Sequence, residues 1–363
     1  MSAISGPSDG PVAVTGAAGF VGAHVVKNLV EHGYDVHACL RDTGREDKMV
    51  YLREISETGP GSVKFFSCDL YNAADGVYDE PFSGCSAVFH VAADIGSDAT
   101  TYGRVSPLKQ YEGIVDMTAA ILESCRKAGT VKRIIYTSSV AAVLGPGAPD
   151  RAEDHIFSED DWCGGTYETL EERHTNEKGE MSWTNEKKAY GKGKLDAERL
   201  CNQFGKESGI DVISICPFFI MGPLLGVPHD TTWQHRLGVA LAGDRSMESR
   251  RTINWNITDV RDIAEAQRLA VESDIATNAS RYCLAAKDEL GEPTGKEFLN
   301  ILQGLFPNHN VCGGYRPDQT SERNRCRCTK AINELGLNPY SLEDTLRDTG
   351  NSLIELGCVP TSA

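Results

Sequence analysis

The stretch TGAAGFVG, residues 15–22, places three glycines at a spacing of three and decides how the rest of the chain is interpreted. It follows the apolar run PVAV at 11–14 and precedes FVGAHVVKNLVEHG at 20–33, whose apolar residues recur with helical spacing. A loop between a strand and a helix places the helix N-terminus, with its unpaired N–H groups and positive dipole end, where it can hold a pyrophosphate.

Each glycine has a separate task in such a loop. Gly16 allows the tight turn, Gly19 lets the backbone approach a phosphate, and Gly22 lets the helix pack closely on the strand. The alternative is a glycine-rich turn that holds no ligand. The flanking strand and helix favour a dinucleotide site.

Six further apolar runs, rich in β-forming residues, alternate with helical patterns along the chain. They lie at 34–40, 63–68, 86–92, 132–139, 211–216 and 281–286. Repeated alternation of strand and helix predicts a parallel sheet with helices on both faces. We therefore expect an α/β protein with a Rossmann-type doubly wound parallel sheet and a smaller C-terminal substrate-binding lobe.

The domain boundaries follow from where this pattern starts and loosens. We expect a flexible N-terminal tail over 1–10 and a dinucleotide-binding Rossmann domain over 11–217, to which roughly 252–275 returns. The smaller lobe is then formed by 218–251 and 276–357, where Pro, Gly and mixed polar residues interrupt the apolar runs.

Composition limits the function classes. The 363 residues are 40% hydrophobic, and 36 Lys+Arg against 52 Asp+Glu give a net charge of −16, which repels nucleic-acid phosphates and anionic membranes. No signal peptide or long apolar run is present, so we expect a soluble, cytoplasmic monomer or homodimer. The 12 cysteines are scattered as buried thiols are in a reducing compartment, and the lone close pair Cys326-Arg-Cys328 lacks the second pair of a zinc site. We expect no metal.

The glycine stretch resembles the fingerprint of the extended short-chain dehydrogenase/reductases, and further landmarks of that family follow in order. They are CDL at 68–70, FHVAA at 89–93, YTSS at 136–139, YGKGK at 190–194 and CP at 216–217. The resemblance spans roughly 11–357 and is closest to the dihydroflavonol reductase, cinnamoyl-CoA reductase and fungal aldehyde/ketone reductase group.

The resemblance implies a set of cofactor-binding residues, among which Asp69 contacts adenine and Lys194 holds the nicotinamide ribose. The set is Thr15, Gly16, Gly19, Phe20, Val21, Gly22, Arg41, Lys48, Asp69, Leu70, Val91, Ala92, Ala93, Tyr190, Lys194 and Pro217.

The catalytic residues can be argued from the sequence itself. Tyr190 and Lys194 are four apart, so they share one face of a helix, and a cation beside a phenol lowers the phenol pKa toward working pH. Tyr190 would then donate a proton to a carbonyl oxygen in reduction or accept one in oxidation. Ser139 can hold the same oxygen from the end of its strand, whereas Ser138 faces the other side and packs. The alternative is a Tyr–Lys pair on a solvated helix face.

Two details of this helix support the assignment. The continuation Leu195-Asp196-Ala197-Glu198 matches the family pattern K-x-x-A-E, which fixes the register on Lys194. Gly191 and Gly193 destabilise a helix interior, so they indicate close approach by backbone or cofactor.

The end of the second predicted strand decides the type of dinucleotide. NAD enzymes place an acid there to accept the ribose hydroxyls, whereas a 2′-phosphate needs a cation. Leu40 occupies the position of the acid, Arg41 follows, and Lys48 matches a second phosphate contact of the resembled group. Asp42 is the counter-argument, because it could cap the next helix or bind hydroxyls. We expect NADPH.

The substrate is less well determined. Leu144 stands where the flavonoid enzymes carry a substrate-binding Asn, and the N-W-Y-C-Y-G-K signature of cinnamoyl-CoA reductases is absent. Residues that line the pocket, or are ordinary core, are Leu144, Phe218, Phe219, Met221, Leu224 and Trp233. We expect an NADPH-dependent reductase of a ketone or aldehyde. The alternatives are a hydroxysteroid dehydrogenase, a sugar epimerase or a non-catalytic NADP-sensing protein.

The polar segment 164–188 between the serine strand and the tyrosine helix is the longest departure from the family. It is either a surface loop or a flap whose apolar residues fold over the pocket. Those residues are Tyr167, Leu170, Met181 and Trp183.

Overall fold

The computed structural model describes most of the chain. The described residues are 3–93, 107–144, 155–163, 186–243, 257–286, 295–311 and 325–360. The proposed flap residues Tyr167, Leu170, Met181 and Trp183 lie outside these ranges.

Eleven strands and ten α-helices are assigned within these ranges. The strands are β1 (Val12–Thr15), β2 (Asp35–Leu40), β3 (Ser62–Ser67), β4 (Ala87–His90), β5 (Arg133–Thr137), β6 (Ile156–Phe157), β7 (Asp211–Pro217), β8 (Phe219–Met221), β9 (Ile257–Asp259), β10 (Arg281–Leu284) and β11 (Arg325–Cys326). The helices are α1 (Phe20–Glu31), α2 (Glu46–Thr58), α3 (Asp79–Phe82), α4 (Pro107–Ala128), α5 (Ala141–Leu144), α6 (Glu186–Ser208), α7 (Thr232–Leu241), α8 (Val260–Glu272), α9 (Gly295–Leu305) and α10 (Leu342–Glu355). Single helical turns occupy 7–9, 70–75, 227–229 and 331–335.

The main sheet has seven strands in the order β3-β2-β1-β4-β5-β7-β10. All neighbouring strands are parallel, with Val12 in register with Val36 on one side and Ala87 on the other. These strands are the seven apolar runs that the sequence predicts, so the doubly wound α/β fold is confirmed. Strands β2 and β3 are added on one side of β1, and β4, β5 and β7 on the other, so the strand order reverses between β1 and β4. The crevice at such a switch point is where these folds bind ligands.

Helices cover both faces of the sheet, which is why its strands are nearly continuous apolar runs. Val12 and Val14 point to the face that buries α1, α2 and α8. Ala13 points to the opposite face, where α4 and α6 contribute Ile121 and Cys201 to the core.

The N-terminal segment is not a flexible tail over the residues that the structure describes. Ile4 has no exposed surface and packs in the core beneath α1, because the chain runs back along the sheet before β1. Asp9 forms an ion pair with Lys132 at 3.1 Å. The expectation of a flexible tail over 1–10 is therefore wrong for 3–10.

The smaller lobe lies over the carboxyl end of the sheet and has its own core. β8 pairs with β9, and α7, α9 and α10 pack around Leu237, Phe298 and Leu346. The lobe does not include residues 281–284, contrary to the expected boundary 276–357, because β10 completes the main sheet beside β7. No helix among the described residues has the length and hydropathy that a membrane span requires.

Candidate active site

The glycine loop is tight enough to require glycine. Gly16 adopts φ +67°, and a Cβ there would lie 3.0 Å from Ala92 Cα. A Cβ on Gly22 would lie 2.1 Å from the Gly16 carbonyl oxygen, which accepts a hydrogen bond from Gly19 N at 2.9 Å. The loop therefore folds back on itself, and α1 starts almost in contact with the turn.

The N-terminus of α1 has the properties of an anion site. Its N-cap is Gly19, which has no side chain to accept hydrogen bonds from the first-turn amides of Phe20 and Val21. The Phe20 ring packs 5.5 Å from the His24 ring and 5.7 Å from the His229 ring, which anchors the start of the helix. These residues fit the pyrophosphate of a dinucleotide, because uncapped amides and the helix dipole both favour negative charge.

Thr15 joins the carboxyl ends of β1 and β4. Its buried hydroxyl accepts hydrogen bonds from Val91 N at 3.1 Å and Ala92 N at 3.0 Å, and lies 3.0 Å from His90 Nδ1. The side chain of Thr15 is thus used to hold the strand ends. Val91, Ala92 and Ala93 are half-buried at the end of β4.

Arg41 follows the last residue of β2, with 70% of its side chain exposed. Its Nε lies 3.7 Å from Asp69 Oδ1, at the carboxyl end of the neighbouring β3. Asp69 caps the turn that begins at Leu70 and accepts a hydrogen bond from Tyr71 N at 3.1 Å. The predicted adenine and phosphate residues therefore lie together at one corner of the sheet.

Asp42 has a local role in the structure. Its Oδ1 accepts a hydrogen bond from Gly44 N at 2.7 Å, which closes the turn between β2 and α2. Asp42 does not cap α2, whose N-cap is Arg45. Lys48 lies half-buried in the first turn of α2.

Lys194 is almost completely buried beneath the predicted catalytic centre. Its Nζ donates a hydrogen bond to the Thr137 carbonyl at 2.9 Å and lies 5.1 Å from the centre of the Tyr136 ring. Burial lowers the pKa of Lys194 to about 8, because the ammonium has lost most of its hydration.

Tyr190 lies on the same face of α6, half-buried beside Ser139. Burial raises the pKa of the Tyr190 phenol, and a hydrogen bond with the Ser139 hydroxyl opposes that rise. Lys194, which was expected to lower this pKa, is not among the causes of the shift, and its ammonium donates to the Thr137 carbonyl. Tyr190 is therefore a protonated phenol at neutral pH.

The two serines after β5 differ in environment. Ser139 is half-buried, and its Oγ accepts a hydrogen bond from Ala141 N at 3.2 Å. Ser138 is buried and donates to Glu198 Oε2 at 2.7 Å. The next residue, Val140, donates its N–H to the Pro217 carbonyl at 3.1 Å, which places the predicted nicotinamide turn beside the serine.

Gly193 in the tyrosine helix is explained by helix packing. A Cβ there would lie 3.1 Å from Ile114 Cδ1 on α4. The close approach that the sequence predicted is therefore between α6 and α4 at this position.

The predicted pocket residues separate into two groups. Leu144 and Phe218 pack with Val140 next to Ser139, so they form an apolar wall beside the hydroxyls. Met221 has no exposed surface and lies in the core of the smaller lobe, as does Leu224. Of the two alternatives left open for Met221, a pocket lining or ordinary core, the structure therefore favours ordinary core.

Phe219 and Trp233 are not part of that wall. Their rings stack on each other at 3.8 Å in the smaller lobe.

Sequence reasoning assigned no role in the site to three polar residues that support it. Glu198 and Arg281 are both buried behind Ser138, and Gln267 Nε2 on α8 donates to Thr137 Oγ1 at 2.9 Å. Helical spacing from Lys194 was the available signal for Glu198. Arg281 is a charge inside the apolar strand RYCL, and no local pattern indicates its partner.

Comparison with known proteins identifies the family. The sequence profile of the NAD dependent epimerase/dehydratase family matches residues 12–161. A dihydroflavonol 4-reductase of Hordeum vulgare is 30% identical over 370 residues, which cover 98% of this chain and 93% of that protein.

Solved structures agree with the fold. Vestitone reductase from alfalfa (Medicago sativa) superposes with a TM-score of 0.72 at 24% identity, covering 96% of this chain and 99% of that one. Yeast methylglyoxal/isovaleraldehyde reductase, solved with NADPH, gives a TM-score of 0.74 at 20% identity, covering 96% and 100%.

Proposed function

Since the chain belongs to the NAD dependent epimerase/dehydratase family, among the extended short-chain dehydrogenase/reductases of the dihydroflavonol reductase group, we propose that it is an NADPH-dependent reductase of ketone or aldehyde carbonyls. The observation that carries the proposal is that α6 brings the Tyr190 phenol to the Ser139 hydroxyl and the Lys194 ammonium to the Thr137 carbonyl, both at the end of β5. These contacts lie at the carboxyl edge of the sheet, the edge that also carries the glycine loop.

Tyr190 is the proton donor. Its raised pKa keeps the phenol protonated at neutral pH, so it can deliver a proton to the substrate oxygen as the carbonyl carbon is reduced. The bound dinucleotide supplies the hydride. The carbon gains the hydride, the oxygen gains the phenol proton, and an alcohol forms.

Ser139 and Lys194 stabilise the charges that develop. The Ser139 hydroxyl donates a hydrogen bond to the substrate oxygen while that oxygen becomes negative. The Lys194 ammonium, fixed by the Thr137 carbonyl, offsets the negative charge left on Tyr190 after proton transfer. Lys194 also holds the nicotinamide ribose hydroxyls in this proposal.

Arg41 and Lys48 make the site selective for the 2′-phosphate. Arg41 is exposed at the end of β2, and its contact with Asp69 is long and solvent-screened, so the guanidinium can turn to a phosphate. Asp42, the residue that argued for ribose hydroxyls, accepts its hydrogen bond from Gly44. The exposed Arg41 guanidinium therefore supports NADPH as the cofactor.

The substrate carbonyl carries an apolar substituent. Leu144, Val140 and Phe218 form a continuous apolar surface next to Ser139. An apolar group packed there orients the carbonyl toward the two hydroxyls.

Tyr190→Phe tests the proposal, because it removes the proton donor and keeps the ring. We expect kcat to fall by about 100-fold or more while KM for NADPH stays near wild type, measured by NADPH oxidation with aldehydes, ketones and dihydroflavonols. Tyr34→Phe is the matched control, since it also removes a buried phenol hydrogen bond, to Glu272, away from the site. Retention of more than about a tenth of kcat in Tyr190→Phe would exclude Tyr190 as the donor.

A further inference from the structure

One face of α6 continues past the catalytic pair. Tyr190, Lys194 and Glu198 are four residues apart, so they lie in a row along the helix. Each of the three contacts a different residue of 137–139, at and just after the end of β5. Tyr190 contacts the Ser139 hydroxyl, Lys194 binds the Thr137 carbonyl, and Glu198 accepts the hydrogen bond of Ser138.

Glu198 is a buried charge, with no exposed surface. Its carboxylate is paired with the Arg281 guanidinium, whose side chain is 4% exposed on β10. Replacing a buried ion pair by apolar residues is often neutral or stabilising, so stability alone is a weak reason for this pair. A role in fixing geometry explains it better.

Arg281 connects Glu198 to a further segment. Its Nη1 donates to the carbonyls of Glu159 at 2.7 Å and Asp161 at 2.8 Å, and its guanidinium lies 3.6 Å from the centre of the Trp162 ring. The carboxylate is therefore immobilised from β10 and from 155–163. Because the Glu198 carboxylate is fixed, it can set the position of Ser138, which donates a hydrogen bond to it.

The backbone after β5 depends on such an acceptor. β5 ends at Thr137, and the main chain beyond it is tied to β7 through Ser138 N and the Ile215 carbonyl at 2.8 Å. From the helix side, Lys194 binds the Thr137 carbonyl, and the Glu198 bond holds the next residue, Ser138. The two bonds fix the separation between α6, which carries Tyr190, and the turn that carries Ser139.

We propose that Glu198 is a positioning residue for the reduction: by holding Ser138 it places the Ser139 hydroxyl opposite Tyr190. This inference rests on the proposed function. It assigns no proton transfer to Glu198, which touches neither reacting group. An error of about 1 Å in such a placement lowers a rate by about 100-fold.

Ser138→Ala is the first test, because it removes the link and leaves the Glu198–Arg281 pair in place. We expect kcat to fall at least tenfold while KM for NADPH stays within twofold. Ser138→Thr retains the hydroxyl and should restore most of kcat. Glu198→Gln should also lower kcat. In the variant that carries both Ser138→Ala and Glu198→Gln, the fold-loss of kcat should be smaller than the product of the two single fold-losses, because both changes act on one hydrogen bond.

A spectroscopic readout needs no turnover. Alkaline titration followed by absorbance measures phenol ionisation, and the difference between the curves of wild type and Tyr190→Phe isolates the ionisation of Tyr190. Ser138→Ala should move that titration to higher pH, because the displaced Ser139 hydroxyl no longer lowers the Tyr190 pKa. Asp211→Asn is the control, since it breaks the buried pair with Arg133 at the other end of β5 and should leave kcat and the titration unchanged.

The outcomes separate the two proposals. If Tyr190→Phe is inactive but Ser138→Ala and Glu198→Gln keep wild-type kcat and titration, Glu198 is only structural. If Tyr190→Phe stays active, the proposed function fails, and the titration alone decides whether Glu198 positions Ser139. A similar loss of kcat in Asp211→Asn would show that general loosening of β5 is the cause and would overturn the inference.

Discussion

A cationic side chain is buried at each end of β5, and the two cations have different hydrogen-bond partners. At the amino end, Arg133 is 1% exposed and pairs with Asp211. Its guanidinium also donates to four backbone carbonyls at the end of α8 and just beyond, those of Ala270, Val271, Ser273 and Ala276. At the carboxyl end, Lys194 donates to the Thr137 carbonyl, and burial lowers its pKa to about 8.

Under the proposed function, the difference separates a charge that serves stability from one that serves chemistry. Arg133 neutralises the negative end of the α8 dipole with fixed carbonyl partners, so its charge is well compensated. Lys194 has one carbonyl partner, and burial lowers its pKa. Under the proposed function, this ammonium offsets the charge of a developing phenolate on Tyr190.

The largest effect should come from removing the Lys194 charge. Lys194→Ala is expected to lower kcat by about 1,000-fold and to raise KM for NADPH, because this lysine offsets the phenolate charge and holds the ribose. Steady-state kinetics with NADPH and a responsive carbonyl substrate measure both constants. A variant with wild-type KM for NADPH would contradict the ribose contact.

Arg133→Met should lower stability and leave kcat almost unchanged. It leaves the Asp211 carboxylate and four carbonyls without their donor, so the free energy of unfolding should fall by about 3–5 kcal/mol. Urea denaturation measures the loss, and kcat of the folded enzyme should stay within twofold of wild type. A large fall in kcat at full folding would erase the distinction between the two ends of β5.

A smaller effect is expected for an exposed cation of the carboxyl edge. Arg41→Ala should reduce the preference for NADPH over NADH by about 10- to 100-fold, since a charge-assisted hydrogen bond contributes roughly 1.5–3 kcal/mol. The ratio of kcat/KM for the two cofactors measures it, with Arg45→Ala as the control because Arg45 pairs with Asp47. An unchanged ratio would remove Arg41 from the phosphate site.

The smallest effect is a slope in stability with pH. Between pH about 8 and the ordinary Lys pKa of 10.5, the unfolded chain binds more protons at Lys194 than the folded protein does. The contribution of this residue to unfolding free energy should therefore rise with pH across that window, by at most about 1.4 kcal/mol per pH unit. Denaturation of wild type and Lys194→Met at several pH values isolates the slope. Parallel curves would show that the Lys194 pKa is not lowered.

Much of the fold follows from local sequence. The seven strands were predicted because buried parallel strands are continuous apolar runs, and the glycine loop because its spacing has a backbone reason at Gly16 and Gly22. Helix boundaries were less exact, because the helical pattern at 20–33 extends beyond α1, which ends at Glu31.

The candidate site was predictable where its residues share one element or follow one strand. The four-residue spacing of Tyr190 and Lys194 fixes a shared helix face, and Ser139 follows β5 by position. Contacts between distant elements were not predictable. Whether Met221 lines the pocket or lies in a core was left open, because an apolar residue in an irregular segment gives no sign of which core will cover it.

The sequence by itself therefore determined the parallel α/β sheet and predicted the glycine loop and the Ser139, Tyr190 and Lys194 set, because these depend on residue type and short-range spacing. Only the tertiary structure decided that Lys194 binds the Thr137 carbonyl and that burial raises the Tyr190 pKa. Likewise, only the structure joined Glu198 to Arg281 across 83 positions. Desolvation and long-range pairing depend on what the folded chain packs around each group, and no local pattern contains that information.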